Sequence, residues 1–250
     1  PSTGGMSMQI VPPGFSGLRQ ALAEGWAMAN ATRGVSIAYA AIFTLAGLAI
    51  VGGLLALGLT PFVVAAAGAF MLVGPAILAG FYGIARTYEA GKRPGFGSVI
   101  AGFTAAAPAV WALALVCALL FMIFVTDAAI LYSYMVGIAP VWLTDLVPAS
   151  ANVMKFLRWG AVSGLVIAFL LFCISAFSVP LLCERRAGLV DAVTASVRVV
   201  FSSFPPMMLW AALISGLIIG SILLLPLLPL TLPWLAYASR ALYRRVLPAD

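Results

Sequence analysis

Asp127 is the residue whose type and position could do chemistry inside a membrane. It is the only acid close to the interior of a long apolar segment, because the chain is uncharged from Pro94 to Thr126. A carboxylate inside a bilayer is a candidate functional group, since a charge is costly there unless it has a role. Asp127 could therefore bind a proton or a cation. The simpler interpretation places it in water at the external boundary of the bilayer.

Other groups that carry chemistry are scarce. The sequence has no histidine, and its three cysteines, Cys117, Cys173 and Cys183, form no CxxC pair. A zinc site, a disulfide framework or a histidine-ligated haem is therefore not expected. No GxSxG elbow, P-loop, GxGxxG or pair of carboxylates occurs. We expect no cofactor, no metal and no enzymatic activity.

Basic and aromatic residues alternate in the last helix of the chain. Such a helix could dock an acidic partner or a lipid head group. The simpler interpretation is an anchor that sets topology, and the charged turn Glu184-Arg185-Arg186 has the same two interpretations. The residues concerned are Arg240, Arg244, Arg245, Trp234, Tyr237 and Tyr243.

Small residues recur every four positions in two apolar segments. This spacing puts them on one helix face, where neighbouring backbones can approach closely. We expect tight helix contacts there, within the chain in the simpler case and with another subunit in the alternative. The residues are Gly160, Gly164 and Ala168 in one segment, and Ala212, Gly216 and Gly220 in the other.

The composition is that of a membrane protein. Hydrophobic residues make up 64% of the 250 residues and charged residues 8%, with a mean hydropathy of +1.16. There is too little polar surface to cover a soluble globule. The net charge of +6 is spread singly or in pairs along the chain. It therefore suggests contact with anionic lipid head groups and no nucleic acid.

Uncharged stretches separated by charges or prolines predict six spans. We expect an all-α fold, a polytopic transmembrane helical bundle with six spans arranged as three hairpins with short interfacial helices. An amphipathic leader, 1–33, precedes them, and no removable signal peptide is expected. Pro180 should kink the end of the fourth span, and a neighbouring helix should satisfy the freed carbonyl. The predicted spans are 35–59, 61–85, 105–126, 159–183, 206–225 and 228–243.

The weakest part of this layout is the apolar stretch 128–144. We expect it to prolong the third helix and then to form an interfacial loop, although a surface loop or a re-entrant segment would also fit. A single domain, 1–250, contains all of these segments.

The positive charges orient the bundle. Under the six-span layout one side receives eleven Lys and Arg residues, and the other receives only Lys155 and Arg158. Because positive residues are enriched in cytoplasmic loops, both termini are expected in the cytoplasm.

Three short segments resemble one another, and each precedes a pair of spans. Each has a glycine followed four residues later by an alanine: Gly17 and Ala21, Gly97 and Ala101, Gly188 and Ala192. One interpretation is a threefold duplication of a unit that consists of an interfacial helix and a hairpin. The alternative is that the segments are alike only because any connector between spans must be amphipathic.

Several motifs resemble a family of bacterial predicted integral membrane proteins of unknown function. The motifs are Phe70-Met-Leu-Val-Gly-Pro75, Gly80-Phe-Tyr-Gly83 leading to Arg86, Phe177-Ser-Val-Pro-Leu-Leu182, and the segment from Asp191 through Ser196-Val-Arg198 to Pro205. The resemblance covers about Gly17 to Leu247. It implies an amphipathic leader and six spans, and it leaves the function open because the family has no assigned activity.

The functional expectation follows mainly from these absences. We expect a non-catalytic protein of the bacterial inner membrane, an accessory or assembly subunit of a larger respiratory or photosynthetic complex. Its partners would be membrane lipids and proteins within the bilayer. A transporter of small molecules or lipids is the alternative, because hairpins and proline-broken helices also suit transport.

Overall fold

The structure of the chain is a computed structural model that describes residues 9–57, 62–135 and 151–249. Within these ranges the chain is mostly helical, without strands, which confirms the all-α class. A 3-10 turn, Leu225–Leu227, precedes the last helix. The helices are α1 Phe15–Ala31, α2 Arg33–Ala56, α3 Phe62–Glu89, α4 Phe96–Ala105, α5 Ala109–Met135, α6 Ala151–Ser175, α7 Ser178–Cys183, α8 Leu189–Ser202, α9 Phe204–Leu223 and α10 Leu228–Val246.

Four segments of the described chain are long and apolar enough to cross a membrane. They are Arg33–Ala56, Ala109–Leu131, Arg158–Cys183 and Phe204–Ser221. They correspond to the predicted first, third, fourth and fifth spans, and the helical membrane fold is thereby confirmed. The predicted second and sixth spans coincide with helices α3 and α10. The count of six spans stays a prediction.

The long helices pair as the predicted hairpins would. Helix α2 contacts α3, α5 contacts α6, and α9 contacts α10. The turn around Pro61 and the predicted loop after Met135 lie outside the described residues.

The third predicted span, 105–126, differs from the helix that is observed. Helix α4 ends at Ala105, and α5 begins only at Ala109. Pro108 separates them because it has no N–H to continue α4, whereas it is tolerated where a helix begins. Helix α5 then continues through Asp127 to Met135, as expected for a prolonged third helix.

The fourth span is broken at Ala176–Phe177, four residues before Pro180. Because Pro180 has no N–H, it cannot bond the carbonyl of Ala176. Ser196 of α8 stabilises the break: its hydroxyl accepts from the Phe177 N–H at 3.1 Å and donates to the Cys173 carbonyl at 2.7 Å. A neighbouring helix therefore satisfies two backbone groups at the break. That a neighbouring helix also satisfies the Ala176 carbonyl, which Pro180 frees, stays a prediction.

The three helices α1, α4 and α8 dock partly through small residues, and some of their large apolar residues stay exposed. Ala21 and Gly25 of α1, Gly102 of α4 and Ala192 of α8 are buried, whereas Ala101 of the second repeat is exposed. The large apolar residues of α1, within the amphipathic leader, differ in exposure: Leu18 is buried, but Phe15 and Trp26 are 58% and 49% exposed. Close packing explains this, since only small side chains fit between adjacent backbones. The location of these helices in the interface plane stays a prediction.

The largest fully buried side chains come from α3, α5, α7 and α10, together with Met207 of α9 and Val199 of α8. The core thus lies at the end of the bundle where α3 and α10 terminate, which is also where the charged residues gather.

Candidate functional site

A cluster of ionic side chains joins the ends of α3, α7 and α10, and we call it the arginine–glutamate cluster: Glu89, Glu184, Arg240 and Arg244. Arg240 is only 3% exposed. It donates two hydrogen bonds to Glu89, at 2.7 and 3.1 Å, and its Nε lies 3.5 Å from Glu184 Oε1. Arg244, which is more exposed, donates to the same Glu89 carboxylate at 2.9 and 3.2 Å.

The electrostatics of Glu89 favour its ionised form. Partial burial of Glu89 acts to raise its pKa, but the hydrogen bonds and charge of Arg240, together with Arg244, outweigh burial and lower the pKa below 4.5. Such a bidentate pair fixes geometry as well as charge. Glu89 therefore holds the end of α3 against α10.

Neighbouring arginines bind the same end of the bundle to its other parts. Arg245 of α10 contacts Gln20 and Glu24 of α1. Arg186 donates to Tyr243 Oη at 2.8 Å and to the carbonyls of Leu247 and Pro248 at 2.6 and 2.7 Å. Those carbonyls follow the end of α10, where free backbone acceptors need donors.

Arg185 caps α4 in a similar way. Its guanidinium donates to the carbonyls of Thr104 and Ala106, both at 3.2 Å. Its backbone has a φ of 53°, in the left-handed region where glycine usually ends a helix. The contacts to α4 offset the conformational cost of a non-glycine residue at this position.

The C-terminal arginines thus contact acids of their own chain. The sequence raised an acidic partner, a lipid head group or a topology anchor for Arg240, Arg244 and Arg245. The acids that these arginines contact are Glu89, Glu184 and Glu24. Sequence reasoning missed the first of these contacts because Glu89 and Arg240 are 151 residues apart.

A buried hydroxyl cluster fixes α10 to the junction of α1 and α2. Ser36 Oγ lies 2.6 Å from Tyr237 Oη and 2.8 Å from Thr32 Oγ1. Thr32 also donates to the carbonyl of Met28 at 2.8 Å. Each hydroxyl has a partner, so the cluster serves packing between these helices.

The closest helix contacts use glycines outside the two predicted small-residue faces. A Cβ on Gly25 would lie 2.5 Å from the backbone nitrogen of Ala238, and one on Gly83 would lie 2.1 Å from the carbonyl of Ser98. These contacts join α1 to α10 and α3 to α4. The motif Gly80-Phe-Tyr-Gly83 was the sequence signal for the second contact.

The predicted small-residue faces are mostly open. Gly160, Gly216 and Gly220 have no heavy atom of another described helix within 4 Å of an added Cβ. Gly164 meets only Phe124, at 3.3 Å, across the contact of α5 with α6. Ala168 and Ala212 are exposed. That these faces form helix contacts stays a prediction.

Asp127 is exposed on α5, eight residues before the end of that helix. Within the described residues it makes no salt bridge, and the structure does not bring it together with the arginine–glutamate cluster. In the same part of the chain, no three Cys, Asp or Glu residues gather as a metal site would require.

One family model matches the chain, and it is described as "Predicted integral membrane protein (DUF2189)". Residues 62–184 match the DUF2189 family. The resemblance seen in the sequence is thus confirmed, over a range that runs from α3 to Glu184. No curated protein and no solved structure shows a significant match to the chain.

Three of the motifs that carried the resemblance fall inside the DUF2189 match, and the segment from Asp191 to Pro205 lies beyond it. The matched range contains Glu89, Glu184, the Gly83 contact and the helix break before Pro180. The arginines that pair with the two glutamates belong to α10, outside the match.

Proposed function

We propose that this protein works by association within the bilayer, as a non-catalytic accessory or assembly subunit of a larger membrane complex. The observation that carries the proposal is the open small-residue face of α9. Ala212 is exposed on that face, and Gly216 and Gly220 have open space around them among the described residues.

Glycine destabilises a helix, so glycines on an exposed helix face call for an explanation. Glycine inside a helix is less favourable than alanine by about 1 kcal/mol, and a lipid-facing surface gains nothing from it. Small residues four apart let a second helix approach closely, which offsets this cost through packing. Among the described residues the close contacts use other glycines, which supports the availability of this face to another chain.

Transport is less well supported. Proline-broken helices were one reason to consider transport. At the break before Pro180, Ser196 hydrogen-bonds the backbone, and residues 177–183 are buried. The ionic groups of the arginine–glutamate cluster pair with one another, which suits a structural role.

Mild-detergent purification from the native membrane tests association. We expect the chain to migrate in a complex larger than its own 26.0 kDa. Gly216→Leu should release it, because the branched side chain keeps a neighbouring helix at a distance. Gly52→Leu on α2 is the matched control, since Gly52 also has open space around it. A native chain that runs alone contradicts the proposal.

The cell compartment is part of the same proposal. We place the protein in the bacterial inner membrane with both termini in the cytoplasm. The clustering of Arg185, Arg186 and the α10 arginines at one end supports this, because Lys155 and Arg158 lie at the start of the apolar segment Arg158–Cys183, which ends just before Glu184. Along α6, Lys155 lies about 30 Å from Ser175, the last residue of the helix. A reporter enzyme that is active only in the cytoplasm should be active when it is fused to the C-terminus. Loss of that activity through export of the reporter would overturn the orientation.

A further inference from the structure

We propose that α4 and the basic turn before it, Lys92-Arg93, form a surface that binds anionic lipid head groups. This inference does not depend on association with other proteins. It rests on the positions of two neighbouring groups of side chains along the axis of α3: the basic turn at the end of α3 and the apolar face of α4.

The end of α3 sends the chain back along that helix. Gly91 has a φ of 71°, and the N–H groups of Gly91 and Lys92 bond the carbonyls of Tyr88 and Thr87 at 2.9 and 3.2 Å. This pattern ends a helix and reverses the chain. Lys92 and Arg93 are exposed in the reversing turn and pair with no acid among the described residues.

Helix α4 then packs antiparallel to α3. The carbonyl of Ser98 lies against Gly83, and Gly102 lies against the carbonyl of Ala79 and the backbone of Gly83. Gly102 therefore lies beside Ala79 and Gly83, which are ten and six residues before the end of α3. At the helical rise this is about 9–15 Å below the basic turn.

The outward face of α4 is apolar. Phe96, Ile100 and Phe103 follow the spacing of one helix face and are 53%, 63% and 39% exposed. Their opposite face is held against α3 by the glycine contacts, so they cannot turn inward. Arg185 also binds the carbonyls at the end of α4.

This arrangement matches the layers of a bilayer surface. Helix α4 ends four residues before Ala109, where a membrane-crossing segment begins, so it must lie near the membrane surface. Apolar side chains at such a surface enter the boundary of the acyl chains by about 5–10 Å. The basic turn then lies at the level of the phosphates, where cations attract anionic lipids.

A label on α4 tests this directly. Ile100→Cys in the full chain would carry a small fluorophore, because Cys117, Cys173 and Cys183 are buried. The protein is reconstituted in two sets of phosphatidylcholine vesicles. One set contains a nitroxide lipid with a phosphatidylglycerol head group, and the other contains the same fraction of a nitroxide lipid with a phosphatidylcholine head group. We expect stronger quenching by the phosphatidylglycerol form, because each cation favours it by about fivefold in affinity.

The K92Q/R93Q double variant should remove the difference between the two nitroxide lipids. K155Q/R158Q, which removes the same charge at the start of α6, should leave it unchanged. Phe96→Cys provides a second label position if the first variant folds poorly. Equal quenching in the native background, a difference that persists in K92Q/R93Q, or a label that no lipid reaches would overturn the proposal. The last outcome would indicate that water or a protein covers α4.

Discussion

The guanidinium of Arg240 pairs with the carboxylate of Glu89 through two parallel hydrogen bonds, 2.7 and 3.1 Å long. The pair joins the end of α3 to α10, and Arg240 is buried while Glu89 is about one-third exposed, 35%. Breaking it by removing the carboxylate would leave a buried guanidinium with only Glu184 as its counter-charge. A buried cation that loses its partner is destabilising.

Glu89 should make the stability of the protein depend on acid pH. Its pKa in the folded protein lies below the ordinary value of 4.5. Its contribution is therefore complete above about pH 4.5 and is lost as the pH falls through the lowered pKa. We expect the thermal midpoint in mild detergent, followed by circular dichroism, to fall below this pH.

Glu89→Gln should lower the midpoint at neutral pH and weaken its decrease under acid conditions. Asp191→Asn is the matched control, because Asp191 is exposed and makes no salt bridge in the described part of the chain. If both variants follow the native pH profile, Glu89 does not hold the helices together.

Ser196→Ala should destabilise the helix break between α6 and α7. The substitution removes the donor to the Cys173 carbonyl and the acceptor of the Phe177 N–H, both at a buried position. A buried group left without a partner costs about 1–3 kcal/mol. The measurement is the free energy of unfolding in detergent. Ser163→Ala should change little, since that exposed hydroxyl bonds only its own helix.

Gly25→Ala should separate α1 from α10. The added Cβ would lie 2.5 Å from the backbone nitrogen of Ala238, so one helix must move. Overpacking of this kind costs about 1–3 kcal/mol. Gly34→Ala, where the Cβ meets open space, should be neutral or slightly stabilising because alanine is the better helix former. Faster proteolysis near α1 in Gly25→Ala would report the separation, and equal rates in both variants would count against a tight contact.

The sequence predicted the helices better than their contacts. Long uncharged stretches sufficed to predict the helical membrane fold, because hydrocarbon demands helical backbone whatever the partners are. The predicted third span nevertheless missed the break at Pro108. The packing of α1 could not be predicted in the same way. Its conspicuous apolar residues, Phe15 and Trp26, stay about half exposed, although Trp26 packs edge-on against Trp234. The inconspicuous Gly25 makes the close backbone contact with Ala238.

The site was harder still to predict. Polar residues such as Ser196 and Glu89 pair with partners that are distant in the chain, and a single sequence contains no signal for such pairs. Asp127 makes no salt bridge and the glycines on α9 have open space around them within the described ranges, so contacts there indicate no role for either.

Photo-crosslinking in the native membrane tests the central claim, association through α9, most directly. A photoreactive residue at Gly216 should give a crosslink to a protein, and the same residue at Gly52 should not. The adduct at Gly216 should also disappear when Gly220→Leu is combined with it. Crosslinks to lipid alone at both positions, or a protein adduct of equal yield at both, would contradict the account.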